Sequence, residues 1–230
     1  MFFYDWTYIL VIIGALLSML AQAKVNSTFN RYSRIGSRSG MTGAEAAGKL
    51  LNSAGIGGVA IRRVPGHLTD NYNPGTSVLN LSDSTIGSTS IAAIGVAAHE
   101  CGHAMQHAEQ YGPLVLRSVL VPATSFGQKI AWPLIIAGLL IRGDFARILL
   151  FAGIIAFSLA VLFSLITLPV EFNASNRAVK ALRATGMMNE EELVGVKKVL
   201  TAAALTYVAG FAAAVLSLLR ILLLANRRNN

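Results

Sequence analysis

Long apolar segments alternate along the chain with one polar region and shorter polar connections. Four apolar segments, residues 6–23, 119–141, 148–170 and 199–225, reach the roughly 20 residues that a helix needs to cross a bilayer. The second contains Pro122, Lys129 and Pro133, whereas the third carries no charge. The pattern predicts a mainly α integral membrane protein with about four transmembrane helices. Interior helices of a soluble protein are the weaker alternative, because a charge-free run of this length is typical of a membrane span.

The polar region between the first two spans is predicted to form a small folded α+β domain. "TGAE", which begins at Thr42, has the form of a capping box and predicts a helix that ends at Gly55. "GVAIRRV" and "SVLNLS" are short, turn-bounded runs that predict strands. "STS" at 88–90 offers caps to a further helix of about twenty residues, which we expect to stop at Gly112 and Pro113.

These elements predict five consecutive segments. They are an N-terminal transmembrane anchor (1–23), a polar domain (24–118), a transmembrane hairpin (119–170), a helical segment (171–198) and a C-terminal transmembrane helix with its tail (199–230).

Composition and charge support a membrane protein and favour one orientation. The chain is 54% hydrophobic and only 13% charged, where soluble domains are about 25% charged. Its net charge is +8, yet no basic stretch is interleaved with aromatic residues, so we expect no nucleic-acid partner. Lysine and arginine are concentrated in 24–118 and 171–198, which share one side in this topology. That side is therefore predicted to be cytoplasmic.

The segment "HECGH", residues 99–103, carries the strongest chemical signal. On a helix, His99 and His103 are separated by about 400° and about 6 Å, so both imidazoles can converge on one ion. Glu100 is rotated by about 100° from His99, beside the ligands, where it can reach a metal-bound water. This is the H-E-x-x-H arrangement of zinc peptidases, in which the Glu is the general base. A buried helix with hydrogen-bonded histidines is the alternative.

Three nearby residues are weaker candidates as metal ligands. His107 lies about 12 Å along the helix from His99, too far to share its ion, and is expected at the surface or the rim of the site. Cys101 points about 200° away from His99 and is expected in the core. As the only cysteine, it can build neither an intrachain disulfide nor a cysteine zinc site. His67 lies in a Gly/Pro loop without a helical framework.

Glu171 is the best candidate for a third ligand. It follows the third span directly, and Pro169 favours the start of a new helix there. Because the second and third spans form a hairpin, Glu171 returns to the membrane face of His99 and His103 and completes a two-His, one-Glu set. Ser175, one turn later, is placed to hydrogen-bond a ligand imidazole. The alternative is that Glu171 simply ends a span at the interface.

Six segments together resemble the YugP-like membrane zinc metallopeptidases. They are "SGMTGAEAA", "GHLTDNYNP", "SIAAIGVAAHECGHAMQHAE", "LRSVLVP", "LPVEFNASNRA" and "AAALTYVA". More distantly, the arrangement of the chain resembles the HtpX-type membrane proteases, which also place a transmembrane hairpin between H-E-x-x-H and a ligand Glu. The resemblance implies zinc ligation by His99, His103 and Glu171, with Glu100 as the catalytic base. It also implies a zincin-like, gluzincin-type domain in a multi-pass protein of the bacterial inner membrane.

The chain departs from the family pattern at four positions, none of them an expected ligand. Acidic residues are common in the family where Asn73 and Asn173 stand, and His where Asn71 stands. The HtpX-type proteases have Asp in the place of Ser175.

The expected function is a zinc endopeptidase with one Zn²⁺ per chain, acting on proteins or peptides, membrane proteins among them, at the cytoplasmic membrane surface. The strand "SVLNLSD" is expected to offer its edge to the substrate. Candidates for stabilising the transition state are Tyr72, Asn71, His67 and Arg177. The competing hypothesis is a non-catalytic membrane scaffold or transport-associated subunit with an inactive motif. A purely structural zinc is less consistent with three protein ligands, since structural sites usually have four.

Overall fold

The computed structural model describes residues 5–229, with side chains as far as Arg227. Residues 1–4 of the expected anchor and Asn230 of the expected tail lie outside the described residues. The described chain is mostly helical, with one small sheet. In order, its elements are α1 (Tyr8–Tyr32), α2 (Gly43–Ser53), β1 (Ala60–Val64), β2 (Asn71–Asn73), β3 (Val78–Ser82), α3 (Ile91–Ala108), α4 (Gly112–Leu140), α5 (Asp144–Ala184) and α6 (Glu190–Asn229).

The chain forms two compact units. The first contains the residues up to Ala21, Val115–Leu168 and the residues from Thr206. The second contains Gln22–Leu114 and Pro169–Leu205, and therefore the whole sheet, α2 and α3. Helices α1, α4, α5 and α6 are long and apolar enough to cross a membrane, as the hydrophobic pattern predicted.

Helix α2 begins where the sequence predicts. The hydroxyl of Thr42 accepts a hydrogen bond from the Glu45 amide at 3.2 Å, and the Glu45 carboxylate accepts one from the Thr42 amide at 2.8 Å. The capping box satisfies two amides at the helix start. One face of the helix, which includes Ala46, Leu50 and Leu51, is buried in the core of the second unit.

The sheet has the order β1-β3-β2, with β3 parallel to β1 and antiparallel to β2. Strand β2, "NYN", was not predicted because it is short and polar. Asp70 lies just before it and accepts hydrogen bonds from the Ser82 amide and hydroxyl, both at 2.8 Å, which fixes this loop against the end of β3. The expectation that β3 offers a free edge to substrate is wrong, because both of its edges are paired.

Several helices have bounds that differ from the predicted ones. Helix α1 continues past the apolar run to Tyr32. Helix α3 ends at Ala108, where Gln110 adopts a positive φ of 51°, and Gly112 opens α4 instead of ending α3.

The expected new helix at Pro169 is also wrong, because α5 runs through this residue without a break. A proline inside a helix removes one amide donor and crowds the carbonyl four residues earlier, so a continuous helix needs support from packing. Val170, Ala174 and Ala178 beyond it are fully buried, and this packing supports the continuous helix.

Candidate metal centre

Helix α3 provides the frame of the site. The Ser90 hydroxyl caps it by accepting a hydrogen bond from the Ala93 amide at 3.2 Å. Ala97, Ala98 and Cys101 on this helix are fully buried, which holds it in the core of the second unit.

The structure brings together the three residues that the sequence selected as ligands. Nε2 of His99 lies 3.3 Å from Oε2 of Glu171, and Nε2 of His103 lies 3.6 Å from the same oxygen. One ligand atom from each of the three residues lies within 4.8 Å of the other two. The Glu171 residue is 2% exposed. His103 and Glu171, 68 positions apart in the sequence, and His99 therefore lie around one small volume.

The two distances from Glu171 to the histidines fit a tetrahedral zinc ion. Nitrogen and carboxylate oxygen ligands lie about 2.0–2.2 Å from zinc, and at tetrahedral angles two such ligands are about 3.3–3.6 Å apart. The distances from Glu171 to His99 and His103 are 3.3 and 3.6 Å. Two neutral imidazoles and one carboxylate are also a donor set that catalytic zinc sites use.

Gly102 allows α3 to approach α5 at the site. A Cβ atom placed on Gly102 would overlap the carbonyl oxygen of Ala174 and would lie 3.0 Å from its carbonyl carbon. Any larger residue would push the two backbones apart. Ala174 lies between Glu171 and Ser175 on α5, so this contact sets the distance between the histidines and Glu171.

Ser175 contacts the first histidine of the motif, as expected. Its Oγ lies 3.1 Å from Nδ1 of His99, within hydrogen-bonding distance. When Nδ1 donates to this hydroxyl, Nε2 keeps its lone pair on the side of Glu171.

Gln106 holds the second histidine through a buried amide. Its Nε2 donates to the Val170 carbonyl at 2.8 Å and to Oδ1 of Asn173 at 2.9 Å, and that Oδ1 also accepts from Nε of Arg177 at 2.7 Å. These bonds orient the amide, so its Oε1 faces Nδ1 of His103 at 2.9 Å and accepts its hydrogen. The proton of a neutral His103 then belongs on Nδ1, which leaves the Nε2 lone pair for a cation.

The same network continues to the surface. NH1 of Arg177 donates to Oε1 of Glu109 at 2.6 Å, and its guanidinium lies 5.7 Å from the centre of the Tyr111 ring. Arg177, a candidate for stabilising the transition state, is thus engaged by Asn173 and Glu109 in this structure.

Glu100 is buried beside the cluster, with 7% of its surface exposed. Burial raises its pKa above the ordinary value, and the nearby charges of His99 and His103 act in the opposite direction. The pKa of His103 is also raised: burial lowers it, but the hydrogen bond to Glu171 and the carboxylate charges nearby outweigh burial.

The remaining candidates lie outside the cluster of three. The Tyr72 hydroxyl lies 3.0 Å from Nδ1 of the exposed His107, and burial raises the tyrosine pKa. The Asn71 amide is engaged by Thr69 and Asn80.

The ring of His67 packs edge-on against Phe29, with centroids 5.1 Å apart. Cys101 is buried, as expected, and its Sγ lies 3.6 Å from the Ala47 carbonyl.

Two residues of the site were missed by the sequence analysis. Gln106 stands three positions after His103, and side chains at this spacing are neighbours on a helix. This spacing could have identified Gln106 as a contact of His103 from the sequence. Gly102 lies inside the motif, but only the position of α5 reveals why a glycine is needed there.

Comparison with known proteins agrees with this geometry. The profile of a family described as "Putative neutral zinc metallopeptidase" matches residues 7–226. A relative from Bacillus subtilis (strain 168), described as "Putative membrane protease YugP", is 47% identical over 218 residues, which cover 94% of this chain and 96% of the relative. No solved structure gives a significant match. The chain therefore belongs to this neutral zinc metallopeptidase family.

Proposed function

We propose that the protein is a zinc-dependent endopeptidase that hydrolyses peptide bonds of proteins or peptides at the cytoplasmic surface of a bacterial inner membrane. One zinc ion per chain is held by His99, His103 and Glu171. The observation that carries the proposal is the convergence of the two Nε2 atoms on Glu171 Oε2, at 3.3 and 3.6 Å. These distances match ligands of one tetrahedral ion, with the fourth position left for water or substrate.

Bound zinc supplies Lewis acidity, which lowers the pKa of a water molecule and polarises the scissile carbonyl. Glu100 accepts the proton of the attacking water on its carboxylate and passes it to the nitrogen of the leaving amine. Its burial beside His99 and His103 keeps this proton transfer away from bulk solvent.

Ser175 and Gln106 orient the two imidazoles. Each contacts the Nδ1 atom of one histidine, His99 or His103, so both rings present Nε2 to the site. Such contacts fix the tautomer and orientation of a metal-binding histidine before the ion arrives.

The outer edge of β2 is the proposed docking strand for an extended substrate. Strand β2 lies at the end of the sheet, and the hydrogen bond between Tyr72 and His107 links it to helix α3. An added strand binds mainly through main-chain hydrogen bonds and so accepts varied sequences. Of the candidates for stabilising the transition state, Tyr72 is the one on this edge strand that faces α3.

The distribution of basic residues supports the proposed cytoplasmic location. Segments 24–118 and 171–198 form the proposed zincin-like, gluzincin-type domain, and they contain most lysines and arginines of the chain. Membrane proteins or their fragments at this surface are the proposed substrates.

The test is the variant Glu100→Gln, which keeps the shape of the side chain but cannot accept the proton. We expect an unchanged zinc content and a fall in peptide-bond cleavage of at least about 100-fold. Glu191→Gln is the matched control, because the side chain of Glu191 is 89% exposed, and it should cleave as the wild type does. Cleavage by Glu100→Gln at the wild-type rate overturns the role of Glu100. A wild-type protein without zinc and without cleavage supports the scaffold hypothesis instead.

A further inference from the structure

A basic groove lies in the second unit, and none of the three candidate ligands lines it. It has a volume of about 610 Å³, within the range of small-molecule sites. It is lined by residues of α1 and α6: Lys24, Ser27, Thr28, Arg31, Tyr32, Val194, Lys197, Lys198, Thr201, Ala202 and Leu205. Four of these residues are cationic and none is acidic. We call this feature the α1–α6 groove.

The cations of the groove are available to a ligand. Lys24, Arg31, Lys197 and Lys198 are exposed, and none of them forms an ion pair within the described part of the chain. Thr28 and Thr201 add hydroxyl donors, whereas the Ser27 hydroxyl donates to the Lys24 carbonyl at 3.1 Å. Several cations with hydroxyl donors and no carboxylate form a site for a phosphate group.

The groove also lies next to the apolar parts of its own two helices. On α1, Lys24 follows directly after the apolar run that ends at Ala23. On α6, Lys197 and Lys198 directly precede the apolar run from 199, and Leu205 of this run lines the groove. Helices that cross a bilayer with these runs hold Lys24, Lys197 and Lys198 within about one turn of the headgroup layer.

We infer that the α1–α6 groove binds the phosphate headgroup of an anionic phospholipid. The cations and hydroxyls contact the phosphate, and Ala202 and Leu205, on the membrane side of Lys197 and Lys198, contact the start of the acyl chains. Basic pockets beside transmembrane helices on the cytoplasmic side are suited to such lipids. A soluble phosphate compound uses the cations but gains nothing from the apolar part of the groove.

The groove is connected to the motif helix by direct packing. A Cβ atom on Gly195 of α6 would lie 2.8 Å from the Tyr32 ring and 3.0 Å from Ile91, the first residue of α3. A Cβ on Gly95 of α3 would lie 3.2 Å from Val196. A lipid in the groove therefore holds the helices that support α3.

The test measures binding of phosphatidylglycerol and phosphatidylcholine to the full-length, detergent-solubilised protein by native mass spectrometry. We expect the wild type to bind phosphatidylglycerol at least about tenfold more tightly. Each lysine near a lipid surface contributes about fivefold in affinity, so Lys24→Gln/Lys197→Gln/Lys198→Gln should remove most of this preference. Equal binding of the two lipids by the wild type, or an unchanged preference in this variant, overturns the proposal.

A matched control removes the same charge elsewhere. Lys49→Gln/Arg62→Gln/Lys180→Gln changes three exposed cations outside the groove and should keep the lipid preference. The charge-conserving Lys24→Arg/Lys197→Arg/Lys198→Arg should keep it too, which separates loss of charge from loss of folding. The control variant Lys49→Gln/Arg62→Gln/Lys180→Gln could lose the lipid preference as fully as Lys24→Gln/Lys197→Gln/Lys198→Gln. In that case the total charge of the protein determines the preference, and the groove is not the site.

A competition with glycerol phosphate, which has the headgroup chemistry without acyl chains, tests whether the ligand is a lipid or a soluble phosphate compound. We expect it not to displace phosphatidylglycerol at equal concentration; complete displacement means that the groove binds a soluble anion. The binding measurement uses no peptide substrate and gives the same result with Glu100→Gln. Its failure is therefore distinct from failure of the proposed peptidase.

Discussion

The backbone of Gly102 lies directly against the backbone of Ala174, with no room for a side chain between them. Gly102 stands inside the motif between Glu100 and His103, and Ala174 stands between Glu171 and Ser175. This contact therefore aligns the histidine helix with the helix that supplies the carboxylate.

Gly102→Ala should destabilise the protein and separate Glu171 from the histidines. The added methyl group would overlap the Ala174 carbonyl oxygen, and a forced backbone shift of this kind costs about 1–3 kcal/mol. Thermal denaturation in detergent should show a lower Tm, and titration should show weaker zinc binding.

The matched control is Gly48→Ala in α2, where a Cβ would meet only the end of the Ile61 side chain at 3.9 Å. Alanine is the better helix former by about 0.5–1 kcal/mol, so this variant should be as stable as the wild type or more stable. An unchanged Tm in Gly102→Ala would contradict the proposed role of the contact.

Gln106→Ala should weaken zinc binding by about 10–100-fold, because His103 loses the acceptor that holds its Nδ1 proton. The Val170 carbonyl also loses a buried donor. The measurement is competition for zinc against a chelator of known affinity. His107→Ala, one residue further along, removes an exposed imidazole and should leave the zinc affinity unchanged. Equal affinities of the two variants would exclude a positioning role for Gln106.

Ser175→Ala should weaken zinc binding less than Gln106→Ala does. It removes one hydrogen bond to His99 Nδ1, whereas Gln106 connects His103 to two further groups. Loss of a single hydrogen bond to the non-ligating nitrogen of a metal-binding histidine should lower the zinc affinity by about tenfold, near the lower end of the 10–100-fold range. An effect larger than that of Gln106→Ala in the same chelator competition would reverse this order.

The distribution of basic residues predicts that the start of α1 and the end of α6 lie on the non-cytoplasmic side of the membrane. Within the first unit, Arg227 donates to Asp5 at 3.1 Å, so the start of α1 and the end of α6 lie together. Alkaline phosphatase fused after Asn230 should be active, and green fluorescent protein fused there should be dark. The reverse result would place the zinc site outside the cytoplasm, against the basic-residue distribution.

The sequence was sufficient for the parts of the fold that rest on local patterns. Apolar runs predicted the four long helices, and Thr42 with Glu45 predicted the start of α2. The continuity of α5 through Pro169 and the pairing of β2 were not predictable in this way. Both depend on packing and hydrogen bonds with distant residues, such as those between Asp70 and Ser82.

At the candidate site, too, local sequence patterns predicted some features, while others depend on contacts with distant residues. The spacing of His99 and His103 carried most of the information, because helical geometry alone places both side chains on one face. Glu171 required the additional argument that a membrane hairpin returns the chain to the same side. Gln106 and Gly102 act through contacts with Asn173 and Ala174 on α5, which no local pattern in α3 contains.

The zinc content of purified wild type and Glu171→Ala, measured by elemental analysis, tests the central claim most directly. The carboxylate of Glu171 lies within 3.6 Å of both imidazole Nε2 atoms, so its removal should empty the site. We predict one zinc per chain in the wild type and in the His67→Ala and His107→Ala controls, and close to none in Glu171→Ala and in His99→Ala/His103→Ala. Wild-type protein without zinc, or Glu171→Ala with its full zinc content, would contradict the account.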